Sequence, residues 1–257
     1  MKTPPYVISV VTICYNCVNE IRATLESVVS QTYPNVDYVI IDGASTDGTT
    51  DIVKEYTERI ATIVSEPDKG IYNAMNKGLA HCKGDYVVFM NAGDVFADND
   101  VLSNVVRQIE ESGTAPDLVY GTYMENNSGV VVPNRSHKKC WYGMFASHQS
   151  MFYNLSFLKE HHISYDESFR IAADYKLTLR VVHEGRTFLK IPTCIASFDT
   201  NGISCNNPQL GMDEACRARK DVLGYNKLQN LFVVTLIKAA HSFRRNFSSI
   251  YKVLRYK

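Results

Sequence analysis

The sequence lacks the features that mark membrane-spanning, nucleic-acid-binding and disulfide-stabilised proteins. It has no apolar run of about 18 residues, so no spanning helix is expected. Lys and Arg number 27 and Asp and Glu number 27, a balance that argues against a nucleic-acid partner. With 257 residues, 45% of them hydrophobic, the chain can bury a core without disulfides. Its seven scattered cysteines therefore favour a reducing, cytoplasmic location.

Glycine and proline are also sparse, at 14 and 8 residues, which excludes collagen-like and low-complexity sequence. The remaining sequence alternates between strand and helix patterns. The predicted strands are apolar, mostly β-branched runs, and they lie at 6–13, 37–42, 61–64, 86–90 and 118–120. The predicted helices between them lie at 19–31, 49–59, 70–81 and 101–111. This alternation predicts an α/β fold whose first half, residues 1–120, is a mostly parallel sheet flanked by helices.

The pattern changes after residue 120. Strand-like patches occur at 130–132, 151–153 and 195–198, and a helix is expected over 172–185. No linker sequence separates this part from the first half. We therefore expect residues 121–226 to form a second, smaller lobe of the same domain.

The last segment, residues 227–257, has seven basic residues and no acidic ones. Its apolar residues recur at steps of three and four, which predicts an amphipathic helix. Such a helix can pack on the body with a solvated basic side, or it can lie on an anionic membrane surface. The absence of acidic residues and the recurring aromatics favour the membrane surface.

Polar clusters follow three of the predicted strands, at 12–16, 42–49 and 91–94. Because ligands bind beyond the carboxyl ends of parallel strands, we expect these clusters to line one crevice. The second cluster is neither G-x-G-x-x-G nor a P-loop, so a Rossmann dinucleotide site and a P-loop are disfavoured. On its own it also fits an ordinary strand-to-helix turn in which Asp47 or Thr49 caps the helix.

Four further residues each have two interpretations. Asp68 either caps the start of a helix or lines the crevice. Lys69 is either a solvated side chain at that helix start or a second residue of the crevice lining. Asp94 either closes a turn or holds a metal-bound diphosphate. Asp174 either caps its helix or acts as a general base.

Taken together, these segments resemble the family 2 glycosyltransferases of the GT-A fold, and within them the bacterial enzymes of O-antigen and exopolysaccharide assembly. The matching segments are 8–16, 27–33, 41–49, 65–78, 84–94, 148–149 and 174–175. The resemblance covers residues 6–200 and rests on the order and spacing of these segments.

The resemblance implies inverting transfer of a sugar from a nucleotide-sugar to an acceptor hydroxyl. By position, Thr12 and Tyr15 would border the nucleoside, and Asp42 would accept a hydrogen bond from the base, most often uracil. Asp68 and Lys69 would help to close the nucleotide pocket. The remaining expected site residues are the metal ligand Asp94, the general base Asp174, and the acceptor or diphosphate loop residues Asn91, His148 and Gln149.

Two departures from the family pattern matter. The acidic metal motif usually has two carboxylates, but here it is Asn-Ala-Gly-Asp over 91–94, so a divalent cation (Mn²⁺ or Mg²⁺) would depend on Asp94, the diphosphate and water. The Gln-x-x-Arg-Trp motif of processive synthases is absent, which implies transfer of one sugar per encounter. A nucleotidyltransferase and a non-catalytic nucleotide-sugar-binding protein remain the alternatives.

The expected partners follow from this resemblance. Acceptors in such pathways are commonly lipid-linked glycans at the cytoplasmic face of the membrane. The basic segment 227–257 would bring the enzyme to that surface. We therefore expect a cytoplasmic, peripheral membrane enzyme.

Overall fold

The computed structural model describes residues 6–125, 129–198 and 207–246. Within these ranges nine strands form one sheet: β1 (Ile8–Cys14), β2 (Val36–Asp42), β3 (Thr62–Ser65), β4 (Tyr86–Phe89), β5 (Val95–Phe96), β6 (Leu118–Glu125), β7 (Val130–Val132), β8 (Met151–Asn154) and β9 (Phe188–Phe198). Their order is β3-β2-β1-β4-β8-β6-β9-β5, with β7 beside β6. One sheet therefore runs through both predicted halves of the chain.

The helices of the described ranges are α1 (Ile21–Val29), α2 (Thr49–Lys54), α3 (Ile71–His81), α4 (Val101–Glu111), α5 (Leu155–Glu160), α6 (Ala173–Glu184), α7 (Pro208–Leu223) and α8 (Lys227–Asn246). Short 3₁₀ turns lie at Thr57–Arg59, His137–Tyr142 and His148–Ser150. Nowhere in the described part of the chain is a helix long and apolar enough to cross a bilayer. The predicted helix over 227–257 is present to residue 246, and its remainder lies outside the described residues.

The first four strands of the sheet are parallel, as the alternating pattern predicts. Beyond β4 the sheet changes, because β8 from the second half inserts between β4 and β6 and pairs antiparallel with both. β6 pairs parallel with β9, and β5 pairs antiparallel with the far end of β9. The two halves are therefore joined by backbone hydrogen bonds.

The sheet carries a hydrophobic core on each face because successive side chains of a strand point to opposite sides. In β1, Val11 and Ile13 face the core that contains α3 and α6, while Ile8 and Val10 face the core that contains α1 and α4. Helix α3 lies so close to β1 that a Cβ on Gly78 would overlap the Val11 side chain. Close packing of the helices on the sheet fixes the loops that leave its carboxyl edge.

Candidate active site

The loops that follow β1 and β2 are joined to each other at the carboxyl edge of the sheet. The Asn16 backbone N–H donates to the Ser45 hydroxyl at 2.8 Å, and the Thr46 N–H donates to Asn16 Oδ1 at 2.9 Å. Asn16 and Ala44 have φ angles of 46° and 63°, a region that costs energy for residues other than glycine. The cross-links hold this unusual backbone, so the two loops form one wall of the predicted crevice.

Asp42 is the last residue of β2, and only 1% of it is exposed. Its Oδ2 accepts hydrogen bonds from the Ser45 N–H at 3.1 Å and from the Ser65 hydroxyl at 2.6 Å. The Ser45 hydroxyl donates to Oδ1. Asp42 is thus buried and its oxygens accept hydrogen bonds within the loop, and its contact with the nucleobase stays a prediction.

Tyr15 and Asp68 meet at Gly43, the residue after Asp42. A Cβ on Gly43 would lie 2.5 Å from Asp68 Oδ2 and 3.2 Å from Tyr15 Cδ2. Tyr15 is 64% exposed, and the half-buried Asp68 also accepts the Gly70 N–H at 2.8 Å immediately before α3. An exposed aromatic ring can stack on a nucleobase, and a carboxylate beside the ring can accept a hydrogen bond from that nucleobase. The structure thus brings Tyr15 and Asp68 together, and Asp68 also closes the turn that precedes α3.

Lys69 and Thr12, the other two residues predicted to bind the nucleotide, differ from each other in exposure. Lys69 is exposed, and its backbone N–H donates to Asn73 Oδ1 at 3.1 Å. Thr12 is fully buried, and its hydroxyl donates to the Met90 carbonyl at 2.7 Å and lies 3.1 Å from the Tyr38 hydroxyl. The Thr12 side chain therefore joins strands within the sheet, and the prediction that Thr12 borders the nucleoside stays a prediction.

Asp94 lies in the turn that leads from β4 to β5. Its N–H donates to the Asn91 carbonyl at 2.9 Å, and its Oδ2 accepts from Gln149 Nε2 at 3.0 Å. Burial raises the pKa of Asp94 to about 6. The Asn91 Oδ1 atom is buried and has no hydrogen-bond partner among the described residues. The same turn therefore offers a carboxylate and an unpartnered amide oxygen.

These oxygens suit a hard divalent cation such as Mg²⁺ or Mn²⁺. No group of three His, Cys, Asp or Glu side chains arranged for a metal occurs among residues 6–125, 129–198 and 207–246. The donor set therefore fits a cation that takes most of its ligands from a diphosphate and water.

Asp174 lies in the first turn of α6 and is connected to the Asp94 turn through His148. Asn91 Nδ2 lies 3.3 Å from His148 Nε2, and His148 Nδ1 lies 3.9 Å from Asp174 Oδ2. Burial lowers the pKa of His148 to about 4, so the imidazole is neutral at pH 7. Burial, reinforced by the charge of Glu214, raises the pKa of Asp174 to about 6. A carboxylate with a pKa near neutrality is suited to general-base catalysis.

A cavity of about 250 Å³ opens beside the Asp174 and His148 side chains. Its wall includes the aromatic rings of Tyr123 and Phe198, which stack on each other with centroids 5.0 Å apart. Arg135 also lines it and donates to the Met144 carbonyl at 2.6 Å. Mixed polar and aromatic walls are typical of ligand pockets, and this one places its occupant against Asp174.

The sequence analysis did not identify Gly43 or Ser65. An Asp-Gly pair at the end of a strand is a signal for a tight turn or a close approach, and it could have pointed to Gly43. Ser65 lies 23 residues after Asp42 in the chain, and a contact at this separation cannot be predicted from local sequence patterns.

The fold and the position of the site define the class of protein. Parallel strands that present their ligand-binding loops at one edge, extended by antiparallel strands from a second half, form a GT-A-type glycosyltransferase fold. The structure of S. aureus TarS 1–349 in complex with UDP-GlcNAc matches with a TM-score of 0.69 over 95% of this chain and 73% of that chain. The sequences are 17% identical, so this likeness concerns the fold alone. This chain spans 44% of a longer TarS chain.

The sequence identifies the family. Residues 9–178 match the profile of Glycosyl transferase family 2, and the chain belongs to this family. It is 31% identical to the uncharacterized glycosyltransferase Rv1514c of Mycobacterium tuberculosis over 204 residues, which are 76% of each chain. It is 35% identical over 99 residues, 38% of this chain and 39% of the other, to the Escherichia coli enzyme WfaP, a UDP-Glc:alpha-D-GlcNAc-diphosphoundecaprenol beta-1,3-glucosyltransferase. The chain is therefore a glycosyltransferase, and the nucleotidyltransferase alternative is set aside.

Proposed function

We propose that this glycosyltransferase transfers a single sugar, with inversion, from a UDP-sugar to a hydroxyl of a lipid-linked glycan in cell-surface polysaccharide or O-antigen assembly. The observation that carries the proposal is the set of contacts from Asn91 through His148 to Asp174. These contacts bring Asp174 close to the turn of Asn91 and Asp94, which supports a base and a diphosphate-binding turn in one crevice. The UDP-GlcNAc complex of the TarS fold relative and the name of WfaP support this donor and acceptor chemistry.

The nucleoside would bind against Tyr15 and Asp68. Uracil presents an N–H donor flanked by carbonyl oxygens, and the Asp68 carboxylate would accept that hydrogen bond while the exposed Tyr15 ring packs on the base. Lys69, exposed beside Asp68, adds positive charge near the phosphates. Asp42 keeps a structural role in this proposal, because it folds the loop that contains Gly43.

The diphosphate would lie at the turn of Asn91 and Asp94. These residues would hold Mn²⁺ or Mg²⁺, which neutralises the negative charge that builds on the departing diphosphate. Gln149 fixes the Asp94 side chain by its hydrogen bond at 3.0 Å. The turn thus orients the leaving group toward one side of the crevice.

Asp174 would act from the other side. Its carboxylate takes the proton of the acceptor hydroxyl while that oxygen attacks the anomeric carbon on the face opposite the diphosphate. The bond from the anomeric carbon to the diphosphate oxygen breaks, and UDP leaves with the electron pair. One displacement inverts the anomeric centre, and a positioned base of this kind typically contributes about 10²–10⁴-fold.

The acceptor would enter the cavity beside Asp174, and α8 would bring the enzyme to a membrane surface. Leu228, Leu231 and Phe232 of α8 are 76%, 62% and 61% exposed. Leu228 and Phe232 also line a groove of about 490 Å³ together with Trp141. An exposed apolar helix face in a segment without acidic residues fits an anionic lipid surface.

The donor is tested by a thermal-shift and calorimetric screen of UDP-, GDP-, dTDP- and CMP-sugars, each with and without Mn²⁺ or Mg²⁺. We expect a UDP-sugar to stabilise the protein, and the metal to strengthen its binding. Binding of another nucleotide in preference to UDP would contradict the assignment of Tyr15 and Asp68 to uracil. Binding without any turnover would favour the non-catalytic alternative.

The base is tested with Asp174→Asn. Transfer from the selected UDP-sugar, and its slow hydrolysis, should fall by about 10²-fold or more, because the amide cannot accept the hydroxyl proton. The dissociation constant for UDP should stay within a few-fold. Asp51→Asn, an exposed carboxylate that pairs with Lys54, is the control and should leave turnover unchanged. Retained turnover in Asp174→Asn would show that another group is the base.

A further inference from the structure

Glu214 is a buried carboxylate on α7 that binds the backbone immediately before the Asp174 helix. Only 8% of Glu214 is exposed. Its Oε1 accepts the Arg170 N–H at 2.8 Å, and its Oε2 accepts the N–H groups of Ile171 and Ala172, each at 2.9 Å. One side chain thus satisfies three consecutive backbone donors, although it lies about 40 residues further along the chain.

These bonds hold the segment that leads into α6. Ala172 is the N-cap residue of α6, and its methyl side chain makes no capping hydrogen bond. The first N–H groups of a helix have no partner within the helix, and a carboxylate at that end is favoured by the helix dipole. The hydroxyl of Tyr72, from α3, lies beside the N–H groups of Ala173 and Asp174. The start of α6 is therefore held between Glu214 and Tyr72.

Helix α7 is itself fixed from its other side. The fully buried Arg219 donates from Nε to Asn230 Oδ1 of α8 at 2.8 Å and from Nη2 to Cys216 Sγ at 3.2 Å. Lys176, in α6, donates to Asp221 of α7 at 2.7 Å. Glu214 is thus presented to the 170–172 segment by a helix that is anchored to both of its neighbours.

We propose that Glu214 is a positioning residue for the catalytic base: its carboxylate sets the backbone before α6 and thereby the location of the Asp174 side chain relative to the acceptor cavity. The inference depends on the proposed role of Asp174. Glu214 itself does not reach the cavity in this proposal, and it acts only through the backbone that it binds and through its charge.

The charge of Glu214 has a separate effect from its hydrogen bonds. Burial is the main cause of the raised pKa of Asp174, and the negative charge of Glu214 raises this pKa further. The other charged or titratable groups near the Asp174 carboxyl in the described part of the chain are His148, Arg135, Tyr72, Tyr153 and Tyr165. His148 and the tyrosines are neutral at pH 7 and Arg135 is a cation, so Glu214 is the anion of this group. Its removal should lower the pKa of Asp174.

The test compares Glu214→Gln with the parent enzyme, using hydrolysis of UDP-glucose and UDP-N-acetylglucosamine with Mn²⁺, measured as UDP release across pH 5–9. The amide keeps one acceptor oxygen and turns an NH₂ group toward backbone N–H donors, so at least one hydrogen bond is lost. We expect kcat to fall about 10–100-fold, UDP affinity to stay within about threefold, and the acidic limb of kcat to move to lower pH.

Two further variants separate position from charge. Asp213→Asn removes an exposed carboxylate from the neighbouring position of α7 and should leave kcat and the pH profile unchanged. Glu214→Asp keeps the charge but shortens the side chain, so kcat should fall while the acidic limb stays in place. If Glu214→Gln does not fold, Glu214→Asp alone decides: a lower kcat with UDP affinity retained supports the proposal.

Other outcomes overturn it. A folded Glu214→Gln enzyme with unchanged kcat and pH profile would show that Glu214 does not position the base. Loss of UDP affinity in proportion to kcat would indicate a general structural role instead. Turnover by Asp174→Asn at the parent rate would overturn the proposed base itself, whereas an inactive Asp174→Asn with a normal Glu214→Gln would overturn this inference alone.

Discussion

At the scale of single residues, the proposed nucleotide site depends on a glycine. The missing side chain of Gly43 gives the Asp68 carboxylate room beside the Tyr15 ring. A carboxylate placed there is available to a ligand, whereas the Asp42 carboxylate next to it is enclosed by serine donors. In the proposed site, therefore, Asp42 holds the loop together and Asp68 is the acidic side chain offered to the nucleotide.

Gly43→Ala should weaken UDP binding by about tenfold or more while changing the thermal midpoint little. The new Cβ would lie 2.5 Å from Asp68 Oδ2, and the side chain of Asp68 has to move away from its place beside Tyr15. Calorimetric titration with UDP and Mn²⁺ measures the effect. Gly211→Ala in α7, where the nearest atom to a Cβ is 3.7 Å away, is the matched control and should bind UDP normally. Normal UDP affinity in Gly43→Ala would argue against Asp68 as a nucleotide ligand.

The pH dependence of turnover should follow the ionisation of the Asp174 carboxyl group. Its pKa is raised to about 6 by burial, and only the ionised form can accept a proton. The rate should therefore be nearly constant above pH 7 and fall about tenfold per pH unit below pH 6. Steady-state rates at saturating donor and metal measure this profile. A rate that stays constant down to pH 5 would contradict a base with this pKa.

The sequence predicted that Asn91, Asp94, His148, Gln149 and Asp174 line one crevice. In the structure Asn91 contacts His148, Gln149 donates to Asp94, and His148 Nδ1 lies 3.9 Å from Asp174 Oδ2. Their individual roles stay predictions. The sequence could not show that Thr12 and Asp42 have internal partners, because those partners are distant in the chain and their contacts exist only in the folded sheet.

At the scale of elements, the regular parallel half was the predictable part. The boundaries of α4 agree with the expected 101–111, since periodic apolar spacing marked them clearly, and in the second half β7 agrees with the expected 130–132. The predicted helix over 49–59 ends instead at Lys54 and continues as a 3₁₀ turn. β5 is two residues long, too short for any periodicity. Helices α5 and α7 were not predicted. α5 has only six residues. α7 buries the charged residues Glu214 and Arg219, which a sequence pattern would assign to the surface.

Helix α8 offers a prediction about membranes. Replacing Leu228 and Phe232 by Glu should reduce sedimentation with vesicles of anionic lipid about tenfold, because each change removes exposed apolar surface and adds negative charge. Hydrolysis of the UDP-sugar in solution should be unaffected. Ile63→Glu, at a 39% exposed site on β3, is the control and should bind vesicles normally. Equal vesicle binding by all three proteins would remove the membrane surface from the proposal.

At the scale of the whole molecule, the site reduces stability. The pKa of Asp174 rises from 3.8 to about 6 on folding, so the folded state disfavours the ionised form. This cost is fully present above about pH 6 and vanishes below about pH 4. At pH 7, Asp174→Asn should therefore be more stable than the parent by about 1–3 kcal/mol, with the difference lost at pH 4. Urea unfolding at the two pH values measures it, and equal stability at pH 7 would contradict the pKa.

The position of β8 and β9 in the sheet has a consequence for synthesis of the protein. A ribosome that has made residues 1–120 has completed every loop of the nucleotide side, yet β4 still has one unpaired edge and β5 has no partner. The edge of β4 is covered only when β8 emerges, and the strand that follows Asp94 is anchored only when β9 emerges. An unpaired edge of a growing chain is prone to aggregation. The nascent chain therefore carries an exposed sheet edge while residues 90–150 are made, and the turn that contains Asp94 is anchored only once β9, at Phe188–Phe198, has been made.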